Sequence, residues 1–423
     1  MNKVAIIFFL TLVNAQFVEK IDFVNNSSSS NYLHQNSYFS DRYISIENKF
    51  EFRNSTLTLT PHLDSNGAHL NQFLFSFKNN FGDFNFGKFH NDQYNENLLS
   101  TGHLIQSKNA NPYLNISFLK NFNITKSFQI QYFQSEGILE KNNIYFEAPY
   151  IHNKRLHFIY SKNQNNFSFG MNHVAIWGGH VKNFGKLPNS LNDYFRVFTG
   201  GSGDDNAPIT EQVNALGDAW GIYDFNYKRI LPQFDISLYY QHIFADRSGM
   251  KFLNSYDGLF GILVENNRNV LKQKYLFEYL NTVDQGGDFH PPGGDAYYWN
   301  GIYSSGWTFK DDIIGNPYIE VFNNRVEMIS LALLLEKNKF NVIINLAKSN
   351  QYKSYNNRLY TDIEYVDNGF YYVLGDDIII NSYEVINVIF SQKMTEQLSL
   401  SLGLSHISGN SLESLLRITY NFR

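Results

Sequence analysis

Gln397-Leu398-Ser399-Leu400-Ser401-Leu402-Gly403-Leu404-Ser405 alternates without a break, and its reading decides the fold. Leu398, Leu400, Leu402 and Leu404 fall on one side, and Ser399, Ser401, Gly403 and Ser405 on the other. A turn containing Gly409 and Asn410 follows. A second run then sets Leu416, Ile418, Tyr420 and Phe422 against Arg417, Thr419 and Asn421. Strand side chains point to alternate faces, so each run has one apolar and one polar face. In a soluble sandwich the apolar face would be a core. Here the residues opposite the leucines are small and uncharged, which suits a strand with lipid on one side and a lumen on the other.

The ending Ile418-x-Tyr420-x-Phe422 resembles the C-terminal signal of bacterial outer-membrane β-barrels, departing from it by the trailing Arg423. Composition agrees with that reading. Phe (38) and Tyr (29) far outnumber Trp (4), with Asn and Ser between them, and mean hydropathy is −0.34. That value is too polar for a helical membrane protein, but it suits a barrel in which every second strand residue meets lipid. No stretch approaches the ~18 apolar residues of a spanning helix. A net charge of −5 gives no reason to expect a nucleic-acid partner.

At the other end, Lys3, the apolar run Val4 to Val13 and the small-residue site Val13-Asn14-Ala15 read as a signal peptide, residues 1–15. The chain has no cysteine, hence neither a disulfide framework nor a lipidated N-terminus. Residues 16–48 carry the serine run Ser27 to Ser30 and read as a periplasmic segment, with 31–36 open to a helical turn. The barrel is expected over 49–423. Its first strand falls at 49–60, where the apolar parity shifts between Phe52 and Leu57, which we read as a bulge.

Further strands are expected at 69–78, 83–90, 111–119, 126–134, 152–160, 164–176, 217–228, 232–243, 257–265, 270–281, 325–335, 340–348 and 381–391, before the terminal pair. The fold class is therefore all-β, a transmembrane antiparallel barrel of about sixteen strands, rising to about eighteen if weak strands hide in the long loops. Short turns such as Glu336-Lys337-Asn338-Lys339 fall on one side. The long connections 91–110, 135–151, 177–216, 282–324 and 349–380 fall on the other, which is the asymmetry of an outer-membrane barrel.

Two long loops hold the informative chemistry. One runs from Asn172-His173 through Trp177-Gly178-Gly179 to Trp220. The other contains Asp295, Tyr297-Tyr298-Trp299-Asn300, Tyr303 and Trp307. Aromatic faces beside short polar side chains suit polysaccharide: the ring stacks on a pyranose face and the polar groups bond its hydroxyls. Asp295 is expected to be an ionised acceptor. Trp177 and Trp220, at strand ends, fit an interfacial aromatic girdle equally well. The acid pairs Asp204-Asp205, Asp311-Asp312 and Asp376-Asp377 read as solvated loop acids or weak calcium ligands rather than a catalytic pair. The histidines have no metal-ligand spacing, and His406-x-Ser408 lacks the order of a barrel phospholipase. No catalytic residue, metal or cofactor is expected.

Further stretches carry a resemblance. They are Ser100-Thr101-Gly102-His103-Leu104, Asn109-Ala110-Asn111-Pro112, His152-Asn153-Lys154-Arg155, Asn172-His173 with Trp177-Gly178-Gly179, and Asn214-Ala215-Leu216-Gly217. Asn300-Gly301-Ile302-Tyr303-x-Ser305-Gly306-Trp307-Thr308 and Ile314-Gly315 complete the set. In their order they resemble the capsule assembly proteins of the Wzi type, although Asn111 stands where that family usually has Arg before the Pro. The resemblance implies an outer-membrane barrel of about eighteen strands with a small periplasmic helical segment. It also implies a non-catalytic, lectin-like role in organising capsular or exopolysaccharide. Expected partners are that polysaccharide, outer-membrane lipid and lipopolysaccharide, and the barrel assembly machinery. The alternative is a porin-like diffusion channel.

Overall fold

The structure, a computed structural model, describes residues 18–26, 42–65, 67–89, 91, 97–108, 110–266, 268–285, 295–352, 360–366, 369–374, 379–410 and 412–422. Alternation of apolar and polar residues produces eighteen antiparallel strands in one sheet. They are β1 Val18–Asn26, β2 Arg42–Phe52, β3 Ser55–Asp64, β4 Gly67–Asn79, β5 Gly82–Phe89, β6 Tyr113–Asn123, β7 Phe128–Ile138, β8 Tyr150–Lys162 and β9 Asn165–Trp177. The rest are β10 Asp218–Ile230, β11 Asp235–Phe244, β12 Gly258–Asn266, β13 Lys272–Asn281, β14 Val326–Lys337, β15 Phe340–Tyr352, β16 Ile379–Lys393, β17 Leu398–Ile407 and β18 Glu413–Asn421. Each strand pairs with the next in sequence. β1 also pairs with β18, Ile21 opposite Tyr420 and Phe23 opposite Ile418, so the sheet closes and leaves no edge.

The two strands beyond sixteen come from the N-terminal side, not from the long loops. Residues 18–26, expected within a periplasmic segment, form the closing strand. There Ile21 and Phe23 face outward, while Asp22, held by Lys20 at 2.6 Å, faces in. The polar flank of Asn and Ser hides this short alternation in the sequence. The presumed single strand 49–60 is a hairpin. The chain reverses at Arg53-Asn54 and lays Phe50 opposite Leu57, so the parity shift marks a turn rather than a bulge. The segment 31–36 and the acid pair Asp376-Asp377 lie outside the described residues.

The connections after β2, β4, β6, β8, β10, β12, β14 and β16 are short and share one end of the barrel. The long connections leave from the other end, and so does the link from Asn26 to Arg42. The parity reading holds on β17: Leu402 and Leu404 are about half exposed on the outer face, whereas Ser405 is fully buried inside. Cross-strand aromatic pairs thicken the outer belt, including Phe167 on Tyr227 (4.5 Å between ring centres) and Tyr240 on Phe260 (4.1 Å).

Candidate functional site: the loops inside the long-loop mouth

Two connections, 97–108 with 110–112 between β5 and β6 and 295–325 between β13 and β14, fold down into the mouth of the barrel. Leu104, Ile105, Tyr298, Trp307 and Ile319 pack against inward side chains that run from Phe133 on β7 to Met328 on β14. Tyr318 extends the contact to Tyr383 on β16, with parallel rings 6.5 Å apart. Burial on this scale gives the loops a core of their own, of the kind loops usually lack.

Polar side chains on inward strand positions fasten the first segment. Glu278 on β13 accepts from the Ser100 hydroxyl and the Thr101 amide, both at 2.7 Å. Gln241 on β11 accepts from the Leu104 amide at 2.9 Å. Asp257, ahead of β12, does the same for the second segment. It accepts from the Gln285 amide and the Tyr297 hydroxyl, each at 2.7 Å, and from the Asp284 amide at 3.1 Å. The segments are joined to each other by Ser107 N–H on Ile314 O (2.8 Å) and by the Asn316 amide group on Gly102 O (2.6 Å). Gly306 holds φ +70°, and a Cβ there would stand 2.2 Å from the Tyr298 carbonyl oxygen. Only glycine allows the two backbones so close.

The structure brings most of the expected site residues together, but as an interior. Tyr297, Tyr298, Tyr303 and Trp307 are at most 2% exposed, and Trp220 is 4% exposed. Trp220 lies 5.3 Å from Tyr298 and 5.2 Å from Trp307, ring to ring. None of these five rings offers a face to a large ligand. Trp177 lies apart from them, on the outer face of β9 under Tyr194, at 6.0 Å. Asn300 is engaged within the loop: its side-chain Oδ1 accepts from the Ile302 and Tyr303 amides, and the same side chain bonds Asp218. Of the seven rings expected at the site, Trp299 is the one that keeps a partly open surface, next to exposed Gly301.

Asp295 is half-buried and not a permanent anion. Burial first, then the charges of Asp246 and Asp257, raise its carboxyl to about 7. Burial raises Asp257 to about 7 as well. Sequence reasoning missed Glu278, Gln241 and Asp257, the anchors of the plug. The first was legible, because Glu278 occupies an inward position between Leu276 and Leu280 that alternation reserves for the interior. It also missed a small polar cleft between the turn 305–311 and the strand end near Leu139, where Glu140, Asn142, Thr308, Lys310 and Asp311 gather beside Phe309. No group of three metal-ligating side chains occurs among the described residues.

The comparisons are consistent with this architecture. The family model described as capsule assembly protein Wzi matches residues 27–408. Among solved structures, the chain is similar to Wzi of Escherichia coli, described as an outer-membrane protein involved in group 1 capsule assembly and a carbohydrate-binding β-barrel. The identity is 13% and the TM-score 0.65, covering 99% of this chain and 87% of that one. OccK10 of Pseudomonas aeruginosa follows at 8% identity and TM-score 0.48, covering 96% and 97% of the two chains. A comparison with curated protein sequences finds no match. The family match spans most of the barrel and both plug segments, so the chain belongs to the capsule assembly protein Wzi family.

Proposed function

We propose that this protein is a non-catalytic outer-membrane component that binds and organises capsular or extracellular polysaccharide at the cell surface. The observation that carries the reading is the plug, an ordered platform whose interior is aromatic and whose upper side presents short polar groups. Trp299 supplies a stacking ring there, and Asp295, Lys310 and Asp311 supply hydrogen-bonding groups at the platform's margin. Tyr297, Tyr298, Tyr303, Trp307 and Trp220 act at one remove, as the floor that holds those groups in place. Trp177 serves the outer rim. The description of the similar Escherichia coli protein as carbohydrate-binding supports the same reading. Outer-membrane lipid, lipopolysaccharide and the barrel assembly machinery are the further partners that such a barrel requires.

The test is Trp299→Ala in cells carrying normal surface levels of the protein, with cell-bound and shed polysaccharide measured separately. Losing a stacking face removes about 0.5–1.5 kcal/mol beyond the area it buries. A polymer engages many copies, so the bound fraction should fall sharply. Retention equal to the parent would remove Trp299 from the site. Steady open-channel current from the intact protein in planar bilayers would favour the diffusion-channel reading instead.

A further inference from the structure

The connections after β9 and β11 meet the plug through Gly178, Val181, Leu187, Asn254 and Asp257. The rest of their length folds outward over the barrel wall. The first carries α1, Leu191–Thr199, and α2, Ile209–Val213; the second carries α3, Arg247–Met250. Parity on the strands beneath fixes their place. On β8 and β9 the outward pairs run Tyr160–Phe167, Phe158–Phe169 and Leu156–Met171, then Lys154–His173 and His152–Ala175. The first three pairs belong to the open apolar belt. At the fourth, one row or about 6–7 Å further along the strands, the wall becomes covered.

Phe198 of α1 lies under the Lys154 ammonium (4.2 Å) and beside His152 (5.6 Å). The Tyr194 hydroxyl meets Gln134 and Glu136, outward residues of β7, at 2.7 and 3.0 Å. Val197 and Leu216 close over Ala175 and Trp177. Around the wall, Phe252 stacks on the outward rings of Tyr223 (5.3 Å) and His242 (4.3 Å). The Tyr240 hydroxyl donates to the Ser255 and Asp257 carbonyl groups at 2.9 and 3.1 Å. Tyr240 is also a wall of an aromatic groove of about 700 Å³ in the belt directly below.

What these connections leave uncovered is apolar. Leu191 and Phe195 of α1, and Ile209 and Val213 of α2, repeat at i and i+4 and are between 57% and 78% exposed. The other exposed residues beside them, Asn192, Thr199, Thr210 and Asn214, carry no charge, and Arg196 at the edge of this face is paired with Asp193 and Asp204 at 3.1 and 2.7 Å. Beyond α3, Leu253 and Tyr256 are exposed as well.

We propose that α1, α2 and the α3 connection form a one-sided collar that seats in the outer-leaflet interface, with lipid as its occupant. The collar is continuous with the lipid-facing belt, lies one strand row above it, and presents uncharged rows of large apolar side chains that water would leave unpaired. Side chains of this kind enter the headgroup–acyl boundary to about 5–10 Å. The groove beneath, walled by Phe169, Phe225, Tyr240 and Phe260, takes the acyl chains of the lipids that border the collar. The plug faces the aqueous mouth on the inside of the barrel, so the connections after β9 and β11 brace the plug with one part and meet the membrane with the other.

The chain has no native cysteine, which makes the test direct. Phe195→Cys and Leu253→Cys, each labelled with an environment-sensitive nitrobenzoxadiazole group, are reconstituted as full-length barrels in phosphatidylcholine–phosphatidylglycerol vesicles. Asp311→Cys, exposed on the plug side, is the control. At both collar sites emission should shift to the blue. It should be quenched by lipid with a doxyl group near the headgroup, more than by lipid with the group at the chain end. The control should respond to aqueous iodide alone. Collar labels that behave like the control would overturn the proposal. So would disulfide-linked dimers through Phe195→Cys, which would make this face a contact between copies. In a second measurement, Phe195→Asp should leave the barrel folded but make the connection after β9 more open to protease in vesicles. Unchanged cleavage would count against lipid as the occupant.

Discussion

The indole N–H of Trp307 donates to the carbonyl oxygen of Ile105 at 2.8 Å, tying together two segments 202 residues apart in the chain. Both groups are buried, so water cannot replace either. Trp307→Phe keeps the apolar bulk but strands the carbonyl, a cost of about 1–3 kcal/mol. Trp307→Ala also opens a cavity beside Trp220, for about 3–5 kcal/mol in total. Thermal unfolding of the purified barrel should rank the parent above Phe and Phe above Ala. Equal melting temperatures would mean that the two segments do not depend on each other.

Glu278 makes a separable test of the plug. Its two carboxylate oxygens hold the Ser100 hydroxyl and the Thr101 amide, and Tyr239 donates to it as well. Hydrogen bonds to a charged acceptor contribute about 1.5–3 kcal/mol each. Glu278→Ala should therefore release the first plug segment while leaving the strand in place, and single-channel current should rise above that of the parent. Current unchanged from the parent would show that this anchor does not control the mouth.

The barrel was legible from alternation alone, because a spanning strand must expose one apolar face and because turn length sorts the two ends. Its N-terminal closure was not. Ile21 and Phe23 are too few to stand out beside Asn25, Asn26 and the serines, and what specifies β1 is pairing with β18, nearly 400 residues away. The candidate site was legible as a cluster but not in its depth. Aromatic residues between glycines look the same whether they face a sugar or a neighbouring loop. The decision rests on partners remote in sequence, such as Ile105 for Trp307 and Asp257 for Tyr297. Likewise Trp177 sits at a strand end where a girdle residue belongs, and only the return of α1 over it distinguishes it from one.

Insertion tests the parity of β17. Leu402 faces outward and Ser401 inward, where Ser401 meets the hydroxyl of Ser391 at 2.8 Å. A cation on the lipid face at mid-bilayer costs about 2–4 kcal/mol. Leu402→Arg should thus lose assembly, judged by heat-modifiable gel migration, while Ser401→Arg should assemble far better. Equal assembly of the two would reverse the assignment of faces.

The last prediction concerns pH. Asp295 begins the second plug segment and Asp257, at the end of the β11–β12 connection, anchors it, and burial raises each from 3.8 to about 7. Between these values the folded plug holds protons that the unfolded chain has released. The stabilising contribution is therefore complete below about pH 4 and is lost as pH rises through about 7. The plug should be firmest in mild acid. Amide hydrogen exchange within 295–325 should be better protected at pH 5.5 than at pH 8, after correction for the intrinsic rate. Asp295→Asn isolates one of the two groups, because the amide copies the shape of the neutral acid without its titration. Asp257 is the poorer choice, since its two oxygens already accept from the Gln285 amide, the Asp284 amide and the Tyr297 hydroxyl. The asparagine variant should keep at pH 8 more of the protection that the parent shows only in acid, and its dependence on pH should be shallower. A variant that loses protection equally at both pH values would show that the Asp295 carboxyl is ionised throughout and is held by a cation rather than by burial.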